Sequence, residues 1–268
     1  MQENETVDLQ KADLYINREF SLLEFNKRVL AQAKNEEVPL LERLNYLCIS
    51  CSNLDEFYEV RVASVIQMAS IDPKAVGPDG LTPNEQLELI AVKAHQLVED
   101  QYKVLNEILI PKLSEQNIRF LRRKEWTEAQ HKWLEAYFNN ELMPILTPVG
   151  LDSAHPFPRI LNKSLNFIIS LTGKDAFGRN SGRAILQAPR ALPRIIQLPR
   201  SDTNSGPADF VFLSSIIHAF VEQLFNGMAV KGCYQFRVTR NSDFFVDDDA
   251  IDDLQLAVEG ELAMRNYG

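Results

Sequence analysis

The chain has 268 residues, 45% of them hydrophobic and 24% charged. This ordinary globular composition excludes a disordered, collagen-like or low-complexity scaffold, and the length suits one large domain or two modest ones. No apolar run approaches the roughly 18 residues of a membrane span, and residues 1–9 have neither the basic start nor the apolar core of a signal peptide. The net charge of −9 is unevenly spread. Residues 1–118 carry 11 Lys+Arg against 20 Asp+Glu, residues 119–240 carry 16 against 9, and residues 241–268 carry 1 against 8. The cationic middle, opened by Arg119, Arg122, Arg123 and Lys124, suits a polyanion: nucleic acid, a nucleotide or an inorganic phosphate chain. It is equally compatible with a plain solvated face.

Residues 21–115 read as helical. Ser21-Leu22-Leu23-Glu24 has the form of a capping box, and Leu22, Phe25, Val29 and Ala33 then recur at helical spacing. Pro39 suits the first position of a second helix, whose apolar stripe is Leu40, Leu44, Leu47, Cys48 and Cys51. Ser52-Asn53-Leu54-Asp55 offers another start, and Leu54, Phe57, Tyr58, Val62, Val65 and Ile66 continue an apolar face. A loop rich in Pro, Gly and Asp over 72–83 runs into Thr82-Pro83-Asn84-Glu85, a strong start signal. The long helix that follows reaches about residue 110, where Pro111 perturbs it. These features predict a helical-bundle N-terminal domain over 1–117.

Beyond 118 the pattern changes. Thr127-Glu128-Ala129-Gln130 caps a helix carrying Trp133, Leu134, Tyr137 and Phe138. Short apolar runs at 118–121, 165–171, 184–187, 194–198, 210–213 and 233–239, punctuated by Pro and Gly, predict strands. A helix is expected over 214–225, ended by Asn226-Gly227, and a last one with an acidic first turn over 247–267. The fold class is α+β: an all-α bundle followed by a mixed α/β domain over 118–268.

No G-x-x-x-x-G-K-[ST], G-x-G-x-x-G or H-E-x-x-H motif is present. His95, His131 and His218 fall in helical segments and suit structural roles. His155 lies in the Pro-rich stretch 147–159, read as an ordered loop. With Asp152 and Arg159 it suits contact with phosphate or another domain, or a rigid connector. Cys48 and Cys51, one helical turn apart, read as small buried residues, and no Cys/His cluster completes a zinc site. Free thiols without an export signal fit a reducing cytoplasm. Within 50–61, Ser, Asn and Asp cap a helix junction. An Asn side chain also carries both a donor and an acceptor, the pair needed to match the amino group and ring nitrogen of adenine.

Four stretches in order resemble one family. They are Tyr15-Ile16-Asn17-Arg18-Glu19-Phe20 onward to Leu30; Leu40-Leu41-Glu42-Arg43-Leu44 through Asn53-Leu54-Asp55-Glu56-Phe57-Tyr58-Glu59-Val60-Arg61; Leu146-Thr147-Pro148 through Pro158; and Phe236-Arg237-Val238-Thr239-Arg240-Asn241-Ser242-Asp243. The family is the polyphosphate kinases that work through a phosphohistidine, and the similarity runs from about residue 15 to 268. It implies reversible transfer of the terminal phosphate of ATP to inorganic polyphosphate, with ATP or ADP as substrate and Mg2+ required by the intact enzyme. It also implies a helical N-terminal domain, a mixed α/β head domain, and two C-terminal domains related to phospholipase D that would follow Gly268. The phosphorylated histidine, a second catalytic histidine and the magnesium-linked arginines belong to those two domains. His95, His131, His155 and His218 therefore inherit none of these roles. No catalytic or metal-ligating residue is expected in this portion, which alone is expected to be inactive.

The resemblance assigns Asn53 to the nucleotide, with Ser50, Ser52 and Arg61 as weaker neighbours; Cys51 stands where the family has a serine. It makes the head domain a dimer surface and the wall of a phosphate tunnel, with Arg159, Arg237 and Arg240 as tunnel or interdomain residues, surface salt bridges being the duller option. Expected partners are ATP, polyphosphate and further copies in a dimer or tetramer. Nucleic acid is not expected, the location is cytoplasmic, and peripheral membrane association is left open. The alternative is a non-catalytic polyanion-binding or oligomerisation module using residues 119–240.

Overall fold

The computed structural model describes Asp8 and residues 11–151, 157–174, 182–200 and 206–241. Asp152, His155, Ser242, Asp243 and the helix expected over 247–267 lie outside them. The described residues form two compact units, one up to Lys112 together with Asn241, the other from Leu113 to Arg240. No helix among them is long and apolar enough to cross a membrane.

The first unit is helical: α1 (Arg18–Lys34), α2 (Leu40–Glu56), α3 (Ala63–Ile71) and α4 (Pro83–Lys103), with π-helical stretches at Phe57–Val62 and Val104–Leu109. The division between the units falls within α5 (Ile110–Glu115). α1 begins before the expected capping box, because the Asn17 side chain accepts from the Phe20 N–H at 3.0 Å and so takes the cap. Its core face is therefore Glu19, Leu23, Asn26, Leu30 and Ala33. Leu22 and Phe25, expected to be inside, are 39% and 51% exposed.

α2 also departs from its predicted stripe. Its buried face is Arg43, Leu47, Ser50 and Leu54, and Cys48 and Cys51 are exposed. The interior accepts Arg43 because its Nε donates to the Ala33 carbonyl at 2.9 Å. No new helix starts at Ser52. The backbone is helical without a break from Leu40 to Ile71, and the Phe57 N–H is shared between the Asn53 and Leu54 carbonyls. Asn53 thus has no capping duty. The Thr82–Glu85 capping box forms as predicted, with Pro83 at the first position. Pro111 does not end the helical run, and the widened π turns directly before it are where the backbone makes room for a residue lacking an N–H. Leu23, Leu30, Leu47, Leu54, Phe57, Ile90, Leu97 and Leu109 fill the core.

The second unit holds β1 (Ile118–Phe120), α6 (Glu128–Tyr137), β2 (Pro148–Leu151), β3 (Asn166–Gly173), β4 (Arg183–Gln187), β5 (Ile195–Gln197), β6 (Ala208–Phe212), α7 (Leu213–Phe220) and β7 (Met228–Phe236). The strands make a four-stranded antiparallel sheet in the order β2-β4-β3-β7, and a three-stranded sheet β1-β6-β5 in which β1 runs parallel to β6. β2 replaces the first part of the expected loop. Pro148 is tolerated there because it opens an edge strand, where its missing N–H need not break the ladder. α7 is shorter than predicted and passes into a 3-10 turn at Val221–Leu224, and Gly227 then takes φ 83° to turn the chain into β7. Leu134, Phe138, Phe167, Ile169, Leu186, Ile216 and Ile217 form the core.

Candidate functional site

One cleft of about 240 Å³ opens in the first unit, lined by residues of α1, α2 and the π stretch that follows. Asn26, Asn53, Glu56 and Arg61 supply its polar groups, and Leu22, Phe25 and Phe57 much of its apolar wall. Leu22 and Phe25 are free to line it because α1 turns its other face to the core. The π-helical winding, which recurs at functional sites, supplies Val60 and Arg61.

The polar groups are tied into the interior. Asn26, 3% exposed, donates Nδ2 to the Ser50 carbonyl at 2.9 Å, and the Asn53 Nδ2 donates to Asn26 Oδ1 at 3.5 Å. Gln101 Nε2 on α4 donates to Ser50 Oγ at 2.9 Å. Arg61 Nη2 meets Glu19 Oε1 at 2.5 Å, while the Arg61 Nε is buried with no partner among the described residues. Of the residues singled out in sequence, Asn53 and Arg61 line the cleft. Ser50 is fully buried behind it, and Ser52 is exposed and outside its lining. Sequence reasoning missed Glu19, Asn26 and Gln101. The available signal was two polar residues, Glu19 and Asn26, spaced in register with Leu23, Leu30 and Ala33.

The second unit brings its candidate arginines to one end of the four-stranded sheet. Asn166 is paired with both Gln187 and Phe236, so the chain before β3 and the chain after β4 and β7 meet there. Lys163 N–H donates to the Val238 carbonyl at 2.8 Å, Arg240 N–H to Asn162 Oδ1 at 3.0 Å, Arg190 Nη2 to the Asn162 carbonyl at 2.5 Å, and Gln187 Nε2 to the Arg159 carbonyl at 2.9 Å. Residues 157–165, 188–194 and 237–241 contribute Arg159, Lys163, Arg190, Arg194, Arg237 and Arg240 without one Asp or Glu. Burial, and then the neighbouring Arg190, pull the Arg194 guanidinium below its ordinary pKa. Arg159 and Arg237 are exposed, whereas Arg240 is half-buried with its Nε unpartnered among the described residues.

The described histidines have structural surroundings. His95 Nδ1 lies 2.6 Å from the Ala91 carbonyl of its own helix, His131 packs on Trp126 and Phe220, and His218 meets the Phe167 ring edge-on. No three His, Cys, Asp or Glu among the described residues gather as metal ligands would.

The family model of the polyphosphate kinase N-terminal domain matches residues 15–121, and that of the polyphosphate kinase middle domain matches residues 129–268. A polyphosphate kinase of Pseudomonas putida is 52% identical over 260 residues, which are 97% of this chain and 36% of that protein. One of Neisseria meningitidis is 54% identical over 251 residues, 94% of this chain and 36% of that protein. A crystal structure of polyphosphate kinase from Porphyromonas gingivalis superposes with a TM-score of 0.71 at 25% identity, covering 94% of this chain and 38% of that one. The chain thus spans a little over a third of the length of these relatives, and with both domain models matched it belongs to the polyphosphate kinase family.

Proposed function

We propose that this chain supplies the base-binding cleft and part of the polyphosphate-facing surface of an ATP:polyphosphate phosphotransferase. The observation that carries the reading is the cleft itself, in which the Asn53 amide stands beside the exposed Phe25 and Leu22. At about 240 Å³ it is smaller than the roughly 300–1,000 Å³ of pockets for drug-sized ligands. It suits one heteroaromatic ring: Phe25 and Leu22 against the faces, Asn53 on the edge. A neutral base also fits a site whose Arg61 is already paired with Glu19.

In the reaction of the whole enzyme the terminal phosphate of ATP passes through a histidine to polyphosphate. Covalent catalysis splits the transfer into two steps, and the charge on the moving phosphoryl group must be met by cations. The cluster of basic residues at the sheet end supports a place for Arg159, Arg237 and Arg240 along the polyphosphate path. The described histidines take no part in this chemistry, and no step is assigned to a metal held by the described residues. Mg2+ accompanies the ATP phosphates. The intact enzyme as a cytoplasmic homo-oligomer belongs to the same proposal.

Ligand-observed NMR of the chain with ATP tests the cleft. Asn53→Ala is expected to weaken binding roughly tenfold, the worth of a good bidentate contact to a base edge; unchanged binding sinks the assignment. Incubation of the pure chain with ATP and Mg2+ is expected to give no polyphosphate, and synthesis would overturn the placing of the catalytic groups. The same sheet end also favours a second reading, a non-catalytic polyanion-binding module. Steeply salt-dependent binding of polyphosphate and RNA alike, with no ATP binding, would select it.

A further inference from the structure

We infer that Asn26 is a positioning residue that fixes the orientation of the Asn53 amide and thereby makes the cleft choose a 6-aminopurine over a 6-oxopurine; the inference rests on the base-binding reading above. A side-chain amide can in principle be turned over, exchanging its donor and acceptor ends. Here the choice is made by a chain of groups that ends on one with no freedom. The Ser50 carbonyl can only accept. Asn26 must therefore present Nδ2 to it, as it does at 2.9 Å. With Nδ2 committed, Asn26 Oδ1 faces Asn53, and the Asn53 amide turns its Nδ2 toward that oxygen at 3.5 Å.

The contact is long, and the alternative decides it. Turning Asn53 over would set two carbonyl oxygens against each other beside a residue only 3% exposed, where water does little to screen them. Gln101 holds the Ser50 hydroxyl at 2.9 Å from the far side, so Ser50 itself is fixed.

The consequence lies on the cleft side. Asn53 offers there Oδ1, an acceptor, and the second N–H of Nδ2, a donor. An adenine edge presents an amino donor next to a bare ring nitrogen, which is the complement. A hypoxanthine or guanine edge presents a carbonyl oxygen next to a ring N–H, the reverse order. For a ring held in the same pose by its sugar and phosphates, pairing with it would require Asn53 to turn over, and Asn26 opposes that. Base choice thus comes from a mismatch built against the wrong ring as well as from contacts to the right one.

The test compares ATP with inosine triphosphate, which differ at the reading edge and nowhere on the phosphates. Both are titrated into the full chain by ligand-observed NMR, with Asn26→Ala, Asn26→Asp and Asn53→Ala. The wild-type chain is expected to prefer ATP. Asn26→Ala is expected to lose that preference by roughly tenfold. Asn26→Asp keeps an acceptor toward Asn53 and is expected to retain the preference, although it too gives up the bond to Ser50. A merely structural Asn26 would not separate the two variants. A folded Asn26→Ala chain with the wild-type preference overturns the inference while leaving the base-binding reading intact, provided Asn53→Ala weakens ATP binding. Asn53→Ala without effect, or a wild-type chain that binds neither nucleotide, overturns both. Isotope-labelled wild-type chain supplies a readout that needs no variant: the Asn53 side-chain amide protons are expected to show cross-relaxation to the Asn26 side chain. Amide protons that instead see only the cleft-lining Phe25 ring would refute the orientation.

Discussion

The ion pair under the cleft makes the sharpest stability prediction. Glu19 is 8% exposed, and its carboxylate meets Arg61 Nη2 at 2.5 Å. Removing one partner of a fully buried pair costs about 3–5 kcal/mol because the other charge is stranded, whereas an exposed pair is worth about 0–1. The Arg61 side chain is 33% exposed and the Glu19 side chain 10%, so water recovers part of the loss and Glu19→Ala should cost about 2 kcal/mol. With a urea dependence of about 2 kcal/mol per molar, the unfolding midpoint should fall by about 1 M, read by far-ultraviolet circular dichroism because both tryptophans, Trp126 and Trp133, lie outside the first unit. Glu19→Gln keeps an acceptor and should recover about half of the loss. In a double-mutant cycle with Arg61→Met, Glu19→Ala should cost much less when Arg61 is already gone. A midpoint unmoved by Glu19→Ala, or strict additivity in the cycle, would show that water already satisfies Arg61 and that the pair does not hold the cleft floor.

Three further outcomes are expected. Thr82→Ala removes the side-chain half of the capping box at the start of α4, the bond from the Glu85 N–H to Thr82 Oγ1, and leaves the backbone N–H of residue 82 to Glu85; it should cost about 1 kcal/mol, with faster amide exchange confined to the first turn, and exchange changed throughout α4 would refute the local reading. The thiol of Cys233 is pushed up to about 11 by burial, against a smaller opposing effect of the Arg123 charge, so at neutral pH only about one in ten thousand is thiolate. Cys48 and Cys51, both exposed, should take alkylating reagent first, leaving one slow thiol that Cys233→Ser abolishes; two slow thiols would contradict the exposed face of α2. Burial, and then the charge of Arg123, hold His218 below its ordinary 6.5. The unfolded chain therefore takes up this proton first, and the second unit should be at full stability above about pH 6.5, lose it as pH falls through that value, and level off below the folded pKa. His218→Phe should flatten that part of the pH profile, and an unchanged slope would place the effect elsewhere.

The sequence made most of the fold legible because its signals were local. Thr82 through Glu85 and Thr127 through Gln130 form capping boxes where their spacing says they should. The apolar runs at 165–171 and 184–187 become β3 and β4 because a continuous apolar stretch fits a strand buried in mid-sheet. The misses came where a polar residue competes for an interior place. Reading apolarity alone set Leu22 and Phe25 inside and Asn26 outside, one step out of phase. The tertiary structure chose the phase in which Asn26 and Glu19 find Ser50 and Arg61 as partners. The same error set Cys48 and Cys51 inside and passed over Arg43, whereas the structure buries Arg43 and exposes both cysteines. Asn53, which lines the cleft, was singled out through resemblance to a family motif. Its neighbour Asn26 was not, although it lay within a quoted motif, because the partner that explains it is 24 residues away.

The two units meet different recognition problems, and their charge follows. In the proposed reading the ring of ATP is neutral and the polyphosphate chain densely anionic. A relay of uncharged amides, Asn26 and Asn53, reads the ring within a stretch whose balance is −9, while the basic sheet end belongs to the stretch of 16 basic and 9 acidic residues. Separating them lets the chain attract phosphate strongly without filling the base cleft by charge alone. Salt should then act on the two sites unequally. Raising ionic strength from about 0.05 to 0.5 M shrinks the screening length from roughly 14 to 4 Å, so polyphosphate binding should fall steeply. The ratio of ATP affinity between wild type and Asn53→Ala should stay constant, because salt weakens the phosphate contacts of both alike and leaves the amide–base contact untouched. A ratio that collapses with salt would mean that Asn53 acts through the phosphates rather than the ring, and the division of labour between neutral amides and arginines would have to be redrawn.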